Sequence, residues 1–142
     1  MSTSPADFNA QIIDEFRANE GRVGGRFEGN TLLLLHHTGA KSGRERVNPL
    51  AYQADKGRYV IFASKAGAPS NPDWYYNLLA HPNVTIEVGN DTIDVVASEA
   101  EGEERERLFA TQAQRIPVFA DYERKAGRVI PVMILTPRDS LA

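Results

Sequence analysis

Thr38-Gly39-Ala40-Lys41-Ser42-Gly43-Arg44-Glu45-Arg46-Val47-Asn48-Pro49-Leu50 follows the apolar run Leu32-Leu33-Leu34-Leu35 and leads into a second β-forming segment, so it reads as strand, turn, strand. That order decides the fold class. A nucleotide P-loop needs GxxxxGK[ST] running from a strand into a helix; here the glycine-lysine-serine cluster runs into another strand, which argues against a Walker-type site and a doubly wound sheet. Glycine lets the turn direct its N–H groups inward, and Lys41, Arg44 and Arg46 supply positive charge, so the turn suits a phosphate or carboxylate. An ordinary solvated charged turn is the alternative at this point.

Outward from the turn, Thr31 to His37 predicts a strand buried on both faces, and a second strand runs from about Arg46 through Leu50, Ala51 and Tyr52. Asp55-Lys56-Gly57 turns the chain into a third strand, Tyr59 to Lys65, and the three together predict an antiparallel meander. Upstream, Ser4-Pro5-Ala6-Asp7 starts a helix over about 5–19, with Phe8, Ile12, Ile13 and Phe16 on one face, and glycines 21, 24, 25 and 29 form a loop after it. Downstream, Asn71 is placed to cap a short helix ending at Ala80, before His81-Pro82. Val84, Ile86, Val88 and then Ile93, Val95, Ala97 alternate with polar residues about a Gly89-Asn90-Asp91 turn, the pattern of a hairpin. Glu101 to about Gln114 reads as a charged surface helix, 115–127 as a loop or short helix over something apolar, and Val129 to Thr136 as a last strand. The fold class is α+β, a barrel or open barrel of mostly antiparallel strands with a few flanking helices, in one domain spanning 1–142.

The 142 residues hold 16 basic and 19 acidic side chains for a net charge of −3, which argues against a general nucleic-acid binder and makes the cationic turn a local site. Cysteine is absent, so thiolate metal sites, disulfides and cysteine nucleophiles are excluded. No stretch approaches the roughly 18 apolar residues of a membrane helix, and the expectation is a cytoplasmic protein without stable membrane insertion, peripheral association being the lesser reading. His36 and His37, adjacent on a strand, point to opposite faces and cannot share one metal, so no metal site is expected. Trp74, Tyr75 and Tyr76 either pack the short helix on the sheet or offer an aromatic face beside Ala63-Ser64-Lys65, where a flat cofactor with an acidic tail would fit.

Thr38-Gly39-x-Lys41-Ser42-Gly43, then Arg46-Val47-Asn48-Pro49-Leu50, Ala63-Ser64-Lys65-x-Gly67 and Asn71-Pro72-x-Trp74-Tyr75-x-Asn77-Leu78, in that order and spacing, resemble the deazaflavin-dependent nitroreductase family. The resemblance extends from about Gly24 to Pro137 and implies a split β-barrel related to FMN-binding folds. It implies that the chain binds coenzyme F-420, an 8-hydroxy-5-deazaflavin with an oligoglutamate tail, and passes a hydride from its reduced form to a small electron-poor acceptor. Carried onto this sequence, Lys41, Ser42 and Arg46 would hold the phosphate and tail, while Asn48, Pro49 and Leu50 would line the ring system. Phe62, Ala63, Ser64 and Lys65 would contact the ring and side chain, and Trp74, Tyr75 and Asn77 would close the groove. Ala40 and Val47 belong to the same cofactor-binding set, whereas Arg44 has no firm counterpart.

Ser64 is the first candidate for a catalytic hydrogen-bond donor and Tyr122 the second. Family members that reduce bulky nitroimidazoles carry tyrosines over the ring, where this chain has Ile116 and Phe119; only Tyr122 retains a hydroxyl. Those three would contact substrate, which favours apolar planar acceptors such as quinones, coumarin-type lactones or activated alkenes over nitroaromatics. The alternatives are an FMN-dependent oxidoreductase of the same barrel superfamily, a non-catalytic carrier of a deazaflavin or tetrapyrrole, and a domain that makes protein contacts through its apolar face. A homodimer is compatible with the fold.

Overall fold

The computed structural model describes residues 5–19, 32–64 and 70–138, with side chains from Ala10 onward. Its strands are β1 (Leu32–Thr38), β2 (Glu45–Ala51), β3 (Gln53–Asp55), β4 (Arg58–Phe62), β5 (Asn83–Val88), β6 (Asp91–Glu99) and β7 (Val132–Pro137). Helices are α1 (Pro5–Ala18), α2 (Asp73–Ala80), α3 (Gly102–Arg115) and α4 (Val118–Ala126). The expected Ser4 cap, the Phe8 side chain, the glycine loop, Thr31, and Lys65 with Gly67 lie outside the described residues.

All seven strands form one antiparallel sheet in the order β2-β1-β5-β6-β7-β4-β3. β2 and β3 are therefore the two edges, yet only Tyr52 separates them along the chain. One residue spans about 3.5 Å, so the edges can lie that close only if the sheet curls back on itself. The result is a split barrel, closed where the ribbon from Glu45 to Asp55 passes from one edge to the other.

The same ribbon corrects the expected meander. β1 pairs with β2, and β3 with β4, but β4 then pairs with β7 and β1 with β5. The second strand breaks at Tyr52, whose ring meets that of Tyr59 edge-on at 5.4 Å. The expected helix over 101–114 and hairpin over 84–97 are present as α3 and as β5–β6. The stretch 115–127, which has no clear period, contains α4, closed by Gly127 at φ 65°, a left-handed conformation that glycine adopts without strain.

The sheet's two faces carry separate cores. Leu33, Leu35, Ile61, Ala63, Val84, Ile86, Val95, Ala97, Met133 and Leu135 fill the concave inner face, and α2 stops it with Trp74 and Leu78. On the outer face, α1 places Ile12 and Phe16 on Leu32 and Leu34, while α3 and α4 bring Leu108, Phe109 and Phe119 to Val60, Phe62 and Ile134. Arg105 is buried here: its guanidinium lies 4.5 Å from the Phe109 ring and bonds Glu123 and the Ile130 carbonyl, so the charge is paired. No helix among the described residues is long and apolar enough to cross a membrane.

Candidate functional site

Register places the cationic turn at one mouth of the barrel. In the β1–β2 pair, Leu33, Leu35 and His37 oppose Leu50, Asn48 and Arg46, and opposed residues share a face. Leu33, Leu35 and Leu50 belong to the inner core, so His37, Asn48 and Arg46 are the last inner-face residues before the turn.

The turn is held from within and from α2. Gly39 N–H donates to the Arg44 carbonyl at 2.8 Å, Gly43 N–H to the Gly39 carbonyl at 3.0 Å, and Arg44 N–H to Ser42 Oγ at 3.2 Å. Gly43 sits at φ 70°, where a side chain would be strained. Gly39 has a different role: a β-carbon there would lie 2.3 Å from Ser42 Oγ, so the hydroxyl occupies the space a side chain would need. Ala40 N–H donates to Asn77 Oδ1 at 2.8 Å. Among the described residues, the N–H groups of Lys41 and Ser42 are left without an acceptor, beside the side chains of Lys41 and Arg46.

Gly39, Ala40, Lys41, Ser42 and Arg46 line a groove of about 540 Å³ whose other wall is Asp73, Tyr76 and Asn77 of α2. Arg46 Nη1 lies 3.8 Å from Asp73 Oδ2, both exposed, so a carboxylate already occupies part of the cation's field. Behind the wall runs a polar chain whose middle, His37 and Asn77, is buried. His37, 2% exposed, meets Asn48 Oδ1 through Nε2 at 2.6 Å and Asn77 Nδ2 through Nδ1 at 2.9 Å. Burial pushes the His37 imidazole below its ordinary pKa; the Asn48 bond opposes this and the Arg46 charge adds to it.

Of the expected cofactor-binding residues, Ala40, Lys41, Ser42, Arg46 and Asn77 come together at this groove, and Asn48 reaches it through His37. Others do not, for one reason: side chains alternate along a strand. Val47 packs in the α1 core and Pro49, opposite Leu34, shares that outer face, while Asn48 and Leu50 turn inward. Phe62 likewise faces α3 and α4, whereas Ala63 lies in the inner core. Trp74, 5% exposed, packs into the barrel, and Tyr75 turns to β6. The Tyr75 hydroxyl donates to Glu99 Oε1 at 2.7 Å; burial, then Glu99, pushes its pKa up to about 12. Tyr76, half exposed, is the aromatic that lines the groove.

Asn71 does not cap α2. Pro72 stands at the cap position, and Asn71 Oδ1 instead accepts from Arg128 Nη1 at 2.5 Å. Arg128 also donates to the carbonyls of Ala63 and Ser70 at 3.1 and 2.9 Å, clamping the two ends of the segment that contains Ser64. Ser64 is buried two residues beyond the end of β4. Phe119 is a core residue, its ring 5.6 Å from Phe62 and 5.3 Å from Tyr122, and the described groove includes none of Ile116, Phe119 and Tyr122. His36 points outward, its ring between Glu45 Oε1 at 3.0 Å and Glu87 Oε2 at 2.6 Å.

His37 and Asp73 are the site residues to which the sequence reading gives no binding role. The signal for His37 was in the strand period: it stands two residues beyond Leu35 on the inner face.

Known proteins share both the sequence and this architecture. An F420H(2)-dependent quinone reductase of Mycobacterium tuberculosis is 38% identical over 127 residues, 87% of this chain and 85% of that protein. A solved F420-H2 dependent reductase, FDR-A, superposes with a TM-score of 0.67 at 41% identity, over 73% of this chain and 92% of that one. A structure described as a domain-swapped dimer gives 0.69 at 36% identity, over 93% and 99%. The family model for the F420H(2)-dependent quinone reductase matches residues 10–137. The chain, an oxidoreductase by that descent, belongs to the F420H(2)-dependent quinone reductase family.

Proposed function

We propose that the groove between the 39–46 turn and α2 holds the acidic tail of coenzyme F-420, and that the barrel mouth beside it orients the deazaflavin against a quinone. The observation that carries this reading is the donor set. Two cationic side chains, and two residues whose backbone N–H groups have no acceptor among the described residues, line one groove, and a tail with a phosphate and carboxylates is the matching partner. When bound in reduced form, the cofactor supplies a hydride, which with one proton from water converts a quinone to its hydroquinone.

The chain's own residues bind and orient. Lys41, Ser42 and Arg46 neutralise and hydrogen-bond the tail, and a ligand anion at Arg46 displaces the long contact with Asp73. Asn48, whose Oδ1 faces His37, keeps its amide N–H groups for the ring. Leu50 and Ala63 supply apolar surface toward the barrel, with Tyr76 at the groove wall. Ser64, two residues beyond the end of β4 in the segment that Arg128 clamps, is the donor to charge that develops on the acceptor, and Tyr122 is the second candidate.

Phe119 is occupied by the core, so Ile116 and Tyr122, both half-buried, are the residues of that set with surface left for a substrate. Their mostly apolar character suits quinones first, then coumarin-type lactones and activated alkenes, with nitroaromatics last. A homodimer belongs to the same reading, supported by the domain-swapped relative, and light scattering of the purified protein tests it.

The deciding experiment titrates the protein with coenzyme F-420 and with FMN in parallel, following fluorescence, and then follows oxidation of the reduced deazaflavin by a quinone. Binding of the deazaflavin that weakens in Lys41→Ala and Arg46→Ala, with quinone-dependent turnover, is the expected result. Preferential FMN binding would transfer the groove to a flavin, and tight deazaflavin binding without turnover on any acceptor would make the protein a carrier.

A further inference from the structure

The chain Asn48–His37–Asn77–Ala40 links β2, β1, α2 and the turn, and one of its members has a fixed role. A backbone N–H can only donate, so the atom facing Ala40 is the oxygen of Asn77. The Asn77 amide nitrogen then faces His37 Nδ1, which must accept and therefore carries no proton. A neutral imidazole has its hydrogen on the other nitrogen, so Nε2–H donates to Asn48 Oδ1 at 2.6 Å. Every orientation in the chain follows from the one backbone donor at its end.

We propose that His37 is a positioning residue: as the neutral Nε2–H tautomer it orients Asn77 to hold Ala40 N–H, and so sets the turn in its anion-binding form. The inference rests on the reading that this turn holds the cofactor's acidic tail; the tautomer itself does not depend on it. Protonation of His37 would make both ring nitrogens donors and set Nδ1–H against the Asn77 amide. Rotating that amide would satisfy the imidazolium but turn NH₂ toward Ala40 N–H. The donor–donor conflict moves along the chain to Ala40 and persists as long as the Ala40–Asn77 bond is kept, because the chain ends in a donor that cannot rotate. With His37 2% and Asn77 6% exposed, water has little access inside the chain, so relief comes at its exposed end, by release of Ala40 from Asn77.

The charged neighbours of the ring are Arg46 on β2, Asp73 on α2 and His36 on its own strand. Arg46 and His36 oppose protonation and Asp73 favours it, and desolvation outweighs all three. The held turn is therefore the state above the His37 pKa, and it is lost as the pH falls through that value. A ligand anion at Arg46 would lessen the opposition from that side chain, so the effect is read on the free protein's affinity.

The test measures the dissociation constant for coenzyme F-420 by fluorescence from about pH 8 down to about pH 5 in the native protein, His37→Gln and His37→Phe, with Lys41→Ala as the site control. Glutamine can accept from Asn77 and donate to Asn48 but does not titrate. The ratio of native to glutamine-variant constants cancels the ligand's own titration. It should be flat at the alkaline end and rise toward tenfold per pH unit in acid. His37→Phe, which keeps the bulk without the hydrogen bonds, should bind at least about tenfold more weakly at neutral pH. Independently, the nitrogen-15 spectrum of the native protein at neutral pH should show His37 protonated on Nε2 alone. A ratio that stays flat into acid, or a ring protonated on Nδ1, overturns the proposal. If Lys41→Ala binds as tightly as native, the turn does not hold the tail and the functional half falls, while the spectrum still decides the tautomer.

Discussion

Gly39→Ala should act on this protein through Ser42. The added methyl would begin 2.3 Å from Ser42 Oγ but 3.6 Å from both Ser42 Cβ and the Arg44 carbonyl, so the hydroxyl is the only close obstacle. It can leave by rotating about χ1, at the loss of the 3.2 Å bond it accepts from Arg44 N–H, worth about 0.5–1.5 kcal/mol net. Ser42→Ala loses the same bond by a different route, and its methyl would keep ordinary contact with the new one at position 39. The double variant therefore loses the bond once, where the two single variants lose it twice. Its stability should exceed the sum of the singles by about 1 kcal/mol. The gain that alanine brings by restricting the unfolded chain, roughly 0.4–1 kcal/mol, occurs in both halves of the cycle and cancels. Urea unfolding of the four proteins reads this as a midpoint discrepancy of about 0.5 M against additivity, for a slope of roughly 2 kcal/mol per molar. Additive effects would mean that the backbone, not the hydroxyl, gives way, and that Ser42 does not brace the turn.

Three further outcomes follow from other parts of the molecule. Lys41→Ala and Arg46→Ala should each weaken coenzyme F-420 binding by roughly 5–30-fold, about 1–2 kcal/mol, and the loss should shrink at high salt, as titrations at two ionic strengths would register. Phe62→Ala should cost about 3–5 kcal/mol in thermal or urea unfolding, because its ring packs edge-on to Phe109 at 6.2 Å and Phe119 at 5.6 Å between β4 and the helices α3 and α4; a cost below about 1 kcal/mol would contradict that placement. Asp55→Asn should destabilise the protein at neutral pH: the guanidinium of Arg107 and then that of Arg58 hold the Asp55 carboxyl at about 2, below its ordinary 3.8. A folded-state pKa that is depressed contributes stability above the unfolded value and loses it as pH falls through the folded one. The gap between native and variant should therefore narrow between about pH 4 and pH 2 in urea midpoints taken across that range.

The strand–turn–strand order at 38–50 was enough to choose an antiparallel barrel over a doubly wound sheet, because the choice depends on which element follows the turn. Partner choice was not legible in the same way. Nothing local distinguishes a continuous strand from the ribbon bent at Tyr52 that serves both edges; that follows from β7 pairing between β6 and β4, far along the chain. The site divided along the same line. Charge and glycine mark the turn that lines the groove with Lys41, Ser42 and Arg46, whereas a contiguous motif such as 46–50 or 62–64 hides the alternation by which a strand sends neighbours to opposite faces. Which of Trp74, Tyr75 and Tyr76 meets the groove is not legible locally, since a helix's inward face depends on where it docks: Trp74 is buried in the barrel and Tyr76 lines the groove. The family's description names quinones, which are among the acceptor classes expected from the sequence.

The position of β7 also sets an order on how the sheet can be completed. It is the last strand in the described chain, yet it lies inside the sheet, between β6 and β4. A ribosome delivering this chain therefore leaves the facing edges of β6 and β4 open until β7 emerges, and those edges are templates for pairing with another chain. Closure of the barrel waits for that strand, and a truncation that removes Val132–Pro137 should leave β2-β1-β5-β6 and β4-β3 joined only through the ribbon at Tyr52.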